Sequence, residues 1–379
     1  MSKLIGQGGF GCVYHPAITC SGNVSKNKKF VSKLHVYDND FKKEVNFGKI
    51  IKQIKNYKQF FSPIVKTCPV NLNAIDKKNI GDCQIVDKHS DLEFMLSYIP
   101  YIHGPNLDKY IIGFKNHDFF ISLINTYSFL INSLKILNKN DIIHFDIKGE
   151  NIIYDSSGPI IIDFGLSFKI SDIISSNIIE LRKYFYTYAP SYYIWSPEIH
   201  IIAYIVKNAG LGTSDILFTP DTLNDLLDDI VSNNDILEIF SDDFKISYHK
   251  SLYNYMKQFI NKPDIFIISE LIKYNNTWDM YSLSILYLKV INKRVSERDV
   301  SDNSIYNILS QLFLLNINPD PRKRHAFETT KRLLYRLFPF SDDDFDHRDD
   351  LDNDIIEFTL NSNEEMLFKS KILPHLKMY

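Results

Sequence analysis

The stretch HFDIKGENIIYDSSGPIIIDFG, beginning at His144, sets Asp146, Lys148, Asn151 and Asp163 among strand-like apolar runs. Moving a phosphoryl group asks little covalent work of a protein; it asks for positioning and for neutralised charge. It needs a carboxylate to orient the attacking hydroxyl, a cation on the terminal phosphate, and oxygen ligands for a divalent metal. Asp146, Lys148, and the pair Asn151 and Asp163 supply these in turn. Mg2+ takes few carboxylates and keeps waters or phosphate oxygens, so one Asp with one Asn suffices. A plain polar loop between two strands would not call for all four positions followed by Phe164 and Gly165. One residue is out of character: Phe145, bulky and apolar, stands between His144 and Asp146.

A second pattern lies near the N-terminus, where Gly6, Gly8 and Gly11 form GQGGFG, a G-x-G-x-x-G spacing. Glycines let backbone N–H groups approach phosphate oxygens that a Cβ would hold off. Alone, the spacing fits a plain β-turn equally well. A dinucleotide-binding fold needs a helix directly after the glycines, but CVYHP continues as strand, with Val13 placed to cover an adenine ring. The Gly-Lys-Ser/Thr of a Walker A loop is absent. The next strand-like run, KFVSKLHVY, carries Lys33, whose ammonium reaches phosphates if an acid holds it in place. Glu44, inside the helical pattern DFKKEVNFGKI, is the only Glu between Lys33 and Glu93. Taken singly, Lys33 also reads as a solvated strand lysine; the glycine loop upstream reverses that reading.

Further elements follow in order. CQIV and LEFMLSYI read as β-like runs, and FFISLINTYSFLINSLKIL, interrupted by Asn125, Asn132 and Lys135, as a buried amphipathic helix rather than a membrane span. NIIY and IIID read as two strands around the turn DSSGP. The pattern is helical but irregular from Ile201 to about Asn276, and apolar helices follow in TWDMYSLSILYLKVI and SIYNILSQLFLLNI.

HxDxKxxN followed by DFG, with the glycine loop and Lys33 upstream, resembles the catalytic core of eukaryotic-type serine/threonine protein kinases, over residues 3–338. The resemblance implies an α+β, bilobal fold. A small β-rich N-lobe would span 1–98, and a larger, mainly helical C-lobe 99–340, with an inserted helical segment at about 201–276. An acidic tail would follow at 341–379. It implies ATP and Mg2+ as cofactors and transfer of the γ-phosphoryl group to serine and threonine hydroxyls of protein substrates. Position by position, Asp146 and Lys148 would be catalytic, and Asn151 and Asp163 would bind the metal. Gly6, Gly8, Gly11, Val13, Lys33 and Glu44 would hold the nucleotide. Leu96 would back the adenine pocket, and Ser97, Tyr98 and Ile99 would form the hinge that bonds the base. Asp279 would brace the catalytic loop, and Tyr281 stands where the family usually has Trp. Arg324 would pair with Glu198 of the SPE element, and Ser191 would take the place of the substrate-loop threonine.

Three departures qualify the likeness. Phe145 replaces the usual Arg that grips an activation-segment phosphate, so activity is expected not to require phosphorylation there. From Glu198 to Asp279 is 81 residues, which implies the insertion. The tail SDDDFDHRDDLDND carries eight Asp and lacks the Gly and final Glu of a calcium loop. It reads as a solvated segment, with an autoinhibitory arm or a dock for basic partners as the alternatives, and the insertion as a docking surface, a cover for the substrate groove or padding. A nucleotide-binding pseudokinase and a small-molecule phosphotransferase of related fold are the competing readings.

Bulk properties narrow the rest. The net charge of −3 supports neither a nucleic-acid-binding face nor a polybasic membrane patch. MSKLIGQGG lacks the apolar core of a signal peptide, and Ser2 excludes myristoylation. Cys12, Cys20, Cys68 and Cys83 fall in no CxxC pair or zinc spacing, so reduced thiols and a soluble, cytoplasmic protein are expected. The start at the nucleotide loop suggests a minimal kinase. With Ile, Asn, Lys and Tyr abundant and only six Ala, it resembles those of large DNA viruses or protists, placing it in a host cell or virion.

Overall fold

The structure, a computed structural model, describes residues 1–337 apart from 10, 90, 210–217 and 297–303; the acidic tail lies outside the described residues. The chain forms two compact units. One comprises Met1–Leu107 with Glu150–Ser167, the other Asp108–Gly149 with the chain from Phe168 onward. The first unit thus extends past residue 98, where β-strand pairing is still under way.

In the first unit, strands β1 (Lys3–Gly8) and β2 (Gly11–His15) form an antiparallel hairpin with Gly8 opposite Gly11. Gly11 is needed sterically: a Cβ there would lie 2.6 Å from the Leu34 carbonyl oxygen. Strand β3 (Phe30–Val36) follows, with β4 (Lys66–Val70) and β5 (Phe94–Pro100), in the sheet order β1-β2-β3-β5-β4. The run CQIV, read as β-like, is instead a one-turn helix, Gln84–Lys88, while β4 carried no readable signal because Pro69 and a cysteine interrupt it.

Side chains alternate between the faces of a strand. Cys12, Tyr14, Leu34, Phe94 and Leu96 therefore share one face and are buried together with Ile18, Val70 and Ile75. Full burial of each large apolar group is worth about 1.5–3 kcal/mol, so this layer fixes the register. Val13, Lys33 and Ser97 stand in cross-strand register on the opposite face.

Helix α1 (Asn39–Ile51) starts at Asp38, whose side chain accepts from the Phe41 N–H, and buries Phe41, Glu44, Phe47, Gly48 and Ile51 along one stripe. Strands β6 (Ile152–Asp155) and β7 (Gly158–Ile162) form the hairpin anticipated around DSSGP, and Phe61–Ser62 adds a short parallel strand beside β7. Ile152 pairs with Ile161, so Asn151 and Asp163 flank the same end of this hairpin.

The second unit is helical. Helix α2 (Asn116–Lys139) is long and apolar enough to cross a membrane, yet most of it is buried within this unit, as a core helix is. Helices α3 (Pro197–Asn208), α4 (Pro220–Ser232), α5 (Asp242–Met256) and α6 (Asp264–Ile272) follow. In α4 the buried Leu223, Leu226, Leu227, Ile230 and Val231 follow helical spacing, with Thr219 and Thr222 forming a capping box. Helices α7 (Trp278–Ser296), α8 (Ser304–Asn316) and α9 (Phe327–Leu337) complete the unit. A buried polar pin joins three of them: Tyr127 of α2 lies 3.0 Å from Ser284 of α7 and accepts from Asn316 of α8 at 3.0 Å.

The cysteines overturn the reduced-thiol expectation. Cys12 is bonded to Cys83 and Cys20 to Cys68, with Cα separations of 6.0 and 5.9 Å, leaving no free thiol among the described residues. Local spacing could not show this, because the sheet brings together cysteines 71 and 48 residues apart. The basis for expecting a reducing compartment is thereby gone. In the chain-entropy account loops of this size contribute about 4 kcal/mol each. Treatment with a reductant should lower the thermal midpoint substantially, and alkylation without reductant should label no cysteine. An unchanged midpoint, or four alkylated cysteines in the untreated protein, would contradict the pairing.

Candidate active site

The first unit assembles a buried cation between two acids. Lys33 Nζ lies 3.1 and 3.0 Å from the two carboxylate oxygens of Glu44 and 3.1 Å from Asp163 Oδ1. Strand β3 brings Lys33 to the sheet face, α1 turns Glu44 inward, and the end of β7 delivers Asp163. Lys33 and Glu44 are only 5% and 3% exposed, so the charges are held by each other rather than by water. Burial pulls the Lys33 ammonium down, but Asp163 and Glu44 outweigh it, and the net shift is upward. Burial pushes Glu44 up to about 7, resisted by Lys33 and aided by the neighbouring Asp163 carboxylate.

Asp163 has a left-handed backbone, φ 61°, and its Oδ1 also accepts from the Gly165 N–H at 3.4 Å. Its side chain is 37% exposed, in contrast to the buried Lys33 and Glu44. A carboxylate and an amide oxygen at one hairpin end are hard donors of the kind Mg2+ accepts, and Asn151 and Asp163 fit that role. No cluster of three His, Cys, Asp or Glu that could hold a metal ion occurs among the described residues. Gly8 and Gly9 have no neighbour within 4 Å of where a Cβ would stand, leaving their backbone approachable.

The residues expected to contact a base divide differently. Leu96 is buried in the apolar cluster on the face opposite Lys33, so strand alternation turns it away from the nucleotide side. Ser97 and Tyr98 lie in a strand paired on both edges, the Tyr98 carbonyl accepts from the Val65 N–H, and Ser97 Oγ is 2.7 Å from His35 Nε2. Their backbone is spent in the sheet and not available to a ligand. Ile99 does lie on the Lys33 side, lining a narrow cavity with Glu44, Asp163 and Phe164.

The second unit holds the other set. His144 and Phe145 N–H donate to the two oxygens of Asp279 at 2.8 and 2.9 Å, the brace expected from helix α7. Burial raises the Asp279 carboxyl, although His144 and the two amides oppose it. Lys148 Nζ is 3.0 Å from Asp146 Oδ2 and 3.2 Å from the Tyr192 hydroxyl, which donates in turn to Asp146 Oδ1. Sequence reading had pointed to Ser191 for the substrate loop; Ser191 is exposed, and its neighbour Tyr192 makes the contact. No motif marked Tyr192, since its role depends on one backbone turn.

Phe145 has φ 67° and sits in an aromatic cluster. Its ring centroid is 4.8 Å from Phe168 and from Trp195, and 5.8 Å from Phe185. The Trp195 indole N–H donates to the Phe145 carbonyl at 2.9 Å. Downstream, Arg324 makes a two-pronged bond to Glu198, buried beside the Trp278 indole, whose N–H donates to Glu198 at 3.2 Å.

No established family profile matches the chain. It is 28% identical over 172 residues to a mitogen-activated protein kinase kinase kinase of Pyricularia oryzae, across 44% of this chain and 17% of that protein. Identity is 26% over 214 residues with mitogen-activated protein kinase kinase kinase A of Dictyostelium discoideum, across 56% and 19%. With dual specificity tyrosine-phosphorylation-regulated kinase 2 of Drosophila melanogaster it is 31% over 159 residues, across 39% and 20%. These relatives are protein kinases. The chain matches about a fifth of the length of each and resembles them at low identity; they lend no support to a viral source.

Two predictions follow from buried charge here. Arg324→Met leaves Glu198 buried without its partner and should cost about 3–5 kcal/mol in denaturant unfolding, much of it regained in Glu198→Leu/Arg324→Met. Fully buried His200 of α3 has its imidazole pushed down from 6.5 to about 4 by burial. The unfolded chain takes up that proton near 6.5 and the folded chain only near 4. Stability from this group is thus intact above 6.5 and falls by about 3 kcal/mol as pH drops to 4. His200→Gln should flatten that limb of the stability–pH curve; an unchanged curve would exclude His200 as its source.

Proposed function

We propose that the protein transfers the γ-phosphoryl group of ATP to serine and threonine hydroxyls of protein substrates. The observation that carries this reading is the Lys33 ammonium, buried between Glu44 and Asp163 above a glycine hairpin, in a chain whose relatives are protein kinases. In this reading Lys33 meets the α- and β-phosphates, while the backbone of Gly6, Gly8 and Gly11 covers them. Asn151 and Asp163 hold Mg2+, which supplies charge neutralisation at the phosphates. Ile99 backs the base, and the backbone following Pro100 takes the hinge role expected of Ser97 and Tyr98.

Asp146 then orients the acceptor hydroxyl and receives its proton as the new oxygen–phosphorus bond forms and the bond to ADP breaks. Lys148 balances the charge that gathers on the transferred group. The Phe145 cluster supports independence from activation-segment phosphorylation. Phe168, Phe185 and Trp195 are gathered by ring packing where the family's arginine would wait for a phosphate, and an apolar ring cannot pair with one.

The test is incubation with labelled ATP and Mg2+ beside basic and acidic protein substrates. Asp146→Asn should lower kcat by about a hundredfold or more, as removal of a positioned acid–base group does, while nucleotide binding persists. Asp163→Ala and EDTA should each abolish transfer. Transfer that survives Asp163→Ala defeats the site assignment; nucleotide binding without turnover in the wild type points to a pseudokinase. Phosphatase treatment should leave activity intact, and a loss mapping to Ser167–Ser191 would overturn the regulatory part.

A further inference from the structure

Both oxygens of the Asp146 carboxylate are taken within its own unit. Lys148 holds Oδ2 and the Tyr192 hydroxyl donates to Oδ1, while Lys148 lies 3.2 Å from that same phenol oxygen. A hydroxyl that donates to the carboxylate and faces the ammonium is in the arrangement that Asp146 and Lys148 would impose on an acceptor. The Asp146 side chain is only 9% exposed, so there is little surface at which a second hydroxyl is added without displacing a partner.

The two partners differ in what their departure costs. Removing Lys148 would strip a charge from a largely buried carboxylate, whereas an incoming hydroxyl restores the hydrogen bond that Tyr192 gives up. Tyr192 is half-buried, its neighbour Ser191 is exposed, and its ring meets Trp195 edge-on at 4.9 Å. We propose that Tyr192 is an internal mimic of the acceptor: its hydroxyl occupies the acceptor's place on Asp146, and a substrate hydroxyl must displace it.

This inference rests on the phosphotransferase reading and adds a residue that sets acceptor selectivity. Only a segment able to lift Tyr192 from Asp146 delivers its hydroxyl, so poorly seated hydroxyls, water included, compete against a tethered one.

Two measurements test it on the full chain. In Tyr192→Phe the ring stays and the competitor is gone. Its kcat/KM for an arginine-flanked or an aspartate-flanked serine peptide should rise about three- to tenfold, the worth of one modest hydrogen bond. The KM for ATP should not change, and ATP loss to water should rise. An equal or lower kcat/KM overturns the proposal and makes Tyr192 a supporting contact. The second measurement needs no turnover. Without nucleotide, each serine peptide should accelerate nitration of Tyr192, read by mass spectrometry, more than its alanine counterpart does. Equal rates with both peptides overturn the proposal. If no acceptor is phosphorylated by wild type or variant, the phosphotransferase reading fails, and the nitration result still decides whether Tyr192 yields to a hydroxyl.

Discussion

Two consecutive amides, His144 and Phe145, donate to one buried carboxylate, Asp279, and the geometry of Asp146 and Lys148 follows from that pair of bonds. A side chain at positive φ costs roughly 1–2 kcal/mol, and Phe145 sits at 67°. Hydrogen bonds to a charged acceptor contribute about 1.5–3 kcal/mol each, enough to hold the turn in that conformation. Ring packing around Phe145 adds to the same end. The left-handed turn separates two directions: the Phe145 ring enters the aromatic cluster, while Asp146 meets Lys148 and Tyr192. A brace on the backbone thereby decides where a carboxylate one and two residues further on will stand.

The first unit solves a different problem, that of keeping a cation dry. An ammonium with one buried acid partner would be poorly compensated, because desolvation takes back much of the Coulomb gain. Lys33 has two, and they are unequal: Glu44 is enclosed, whereas Asp163 is more than a third exposed. That division leaves one carboxylate to hold the lysine in place and another open to a ligand.

Much of this was legible in the sequence because the informative residues are close together or follow a simple period. The glycine hairpin, the Lys33 strand, the Glu44 helix and the β6–β7 hairpin all follow from local pattern. The face of Leu96 hangs on phase alone: in a strand, a shift of one residue turns a side chain to the opposite face, and only the register against Lys33 shows which. Tyr192 was missed because the neighbouring Ser191 fitted the motif better, while the backbone turn presents the tyrosine. The cysteines were misread because their partners are brought together by the sheet, at separations no spacing rule covers.

The two disulfides are nested: the span from Cys20 to Cys68 lies wholly within that from Cys12 to Cys83. Lys33 and Glu44 fall inside both rings, and the glycine hairpin is tied to the outer one through Cys12. A single backbone cut within the inner ring therefore leaves one covalent molecule, with the lysine and its glutamate still linked on both sides of the break. The ion pair at the centre of this unit is insured topologically, by closed chain, as well as energetically.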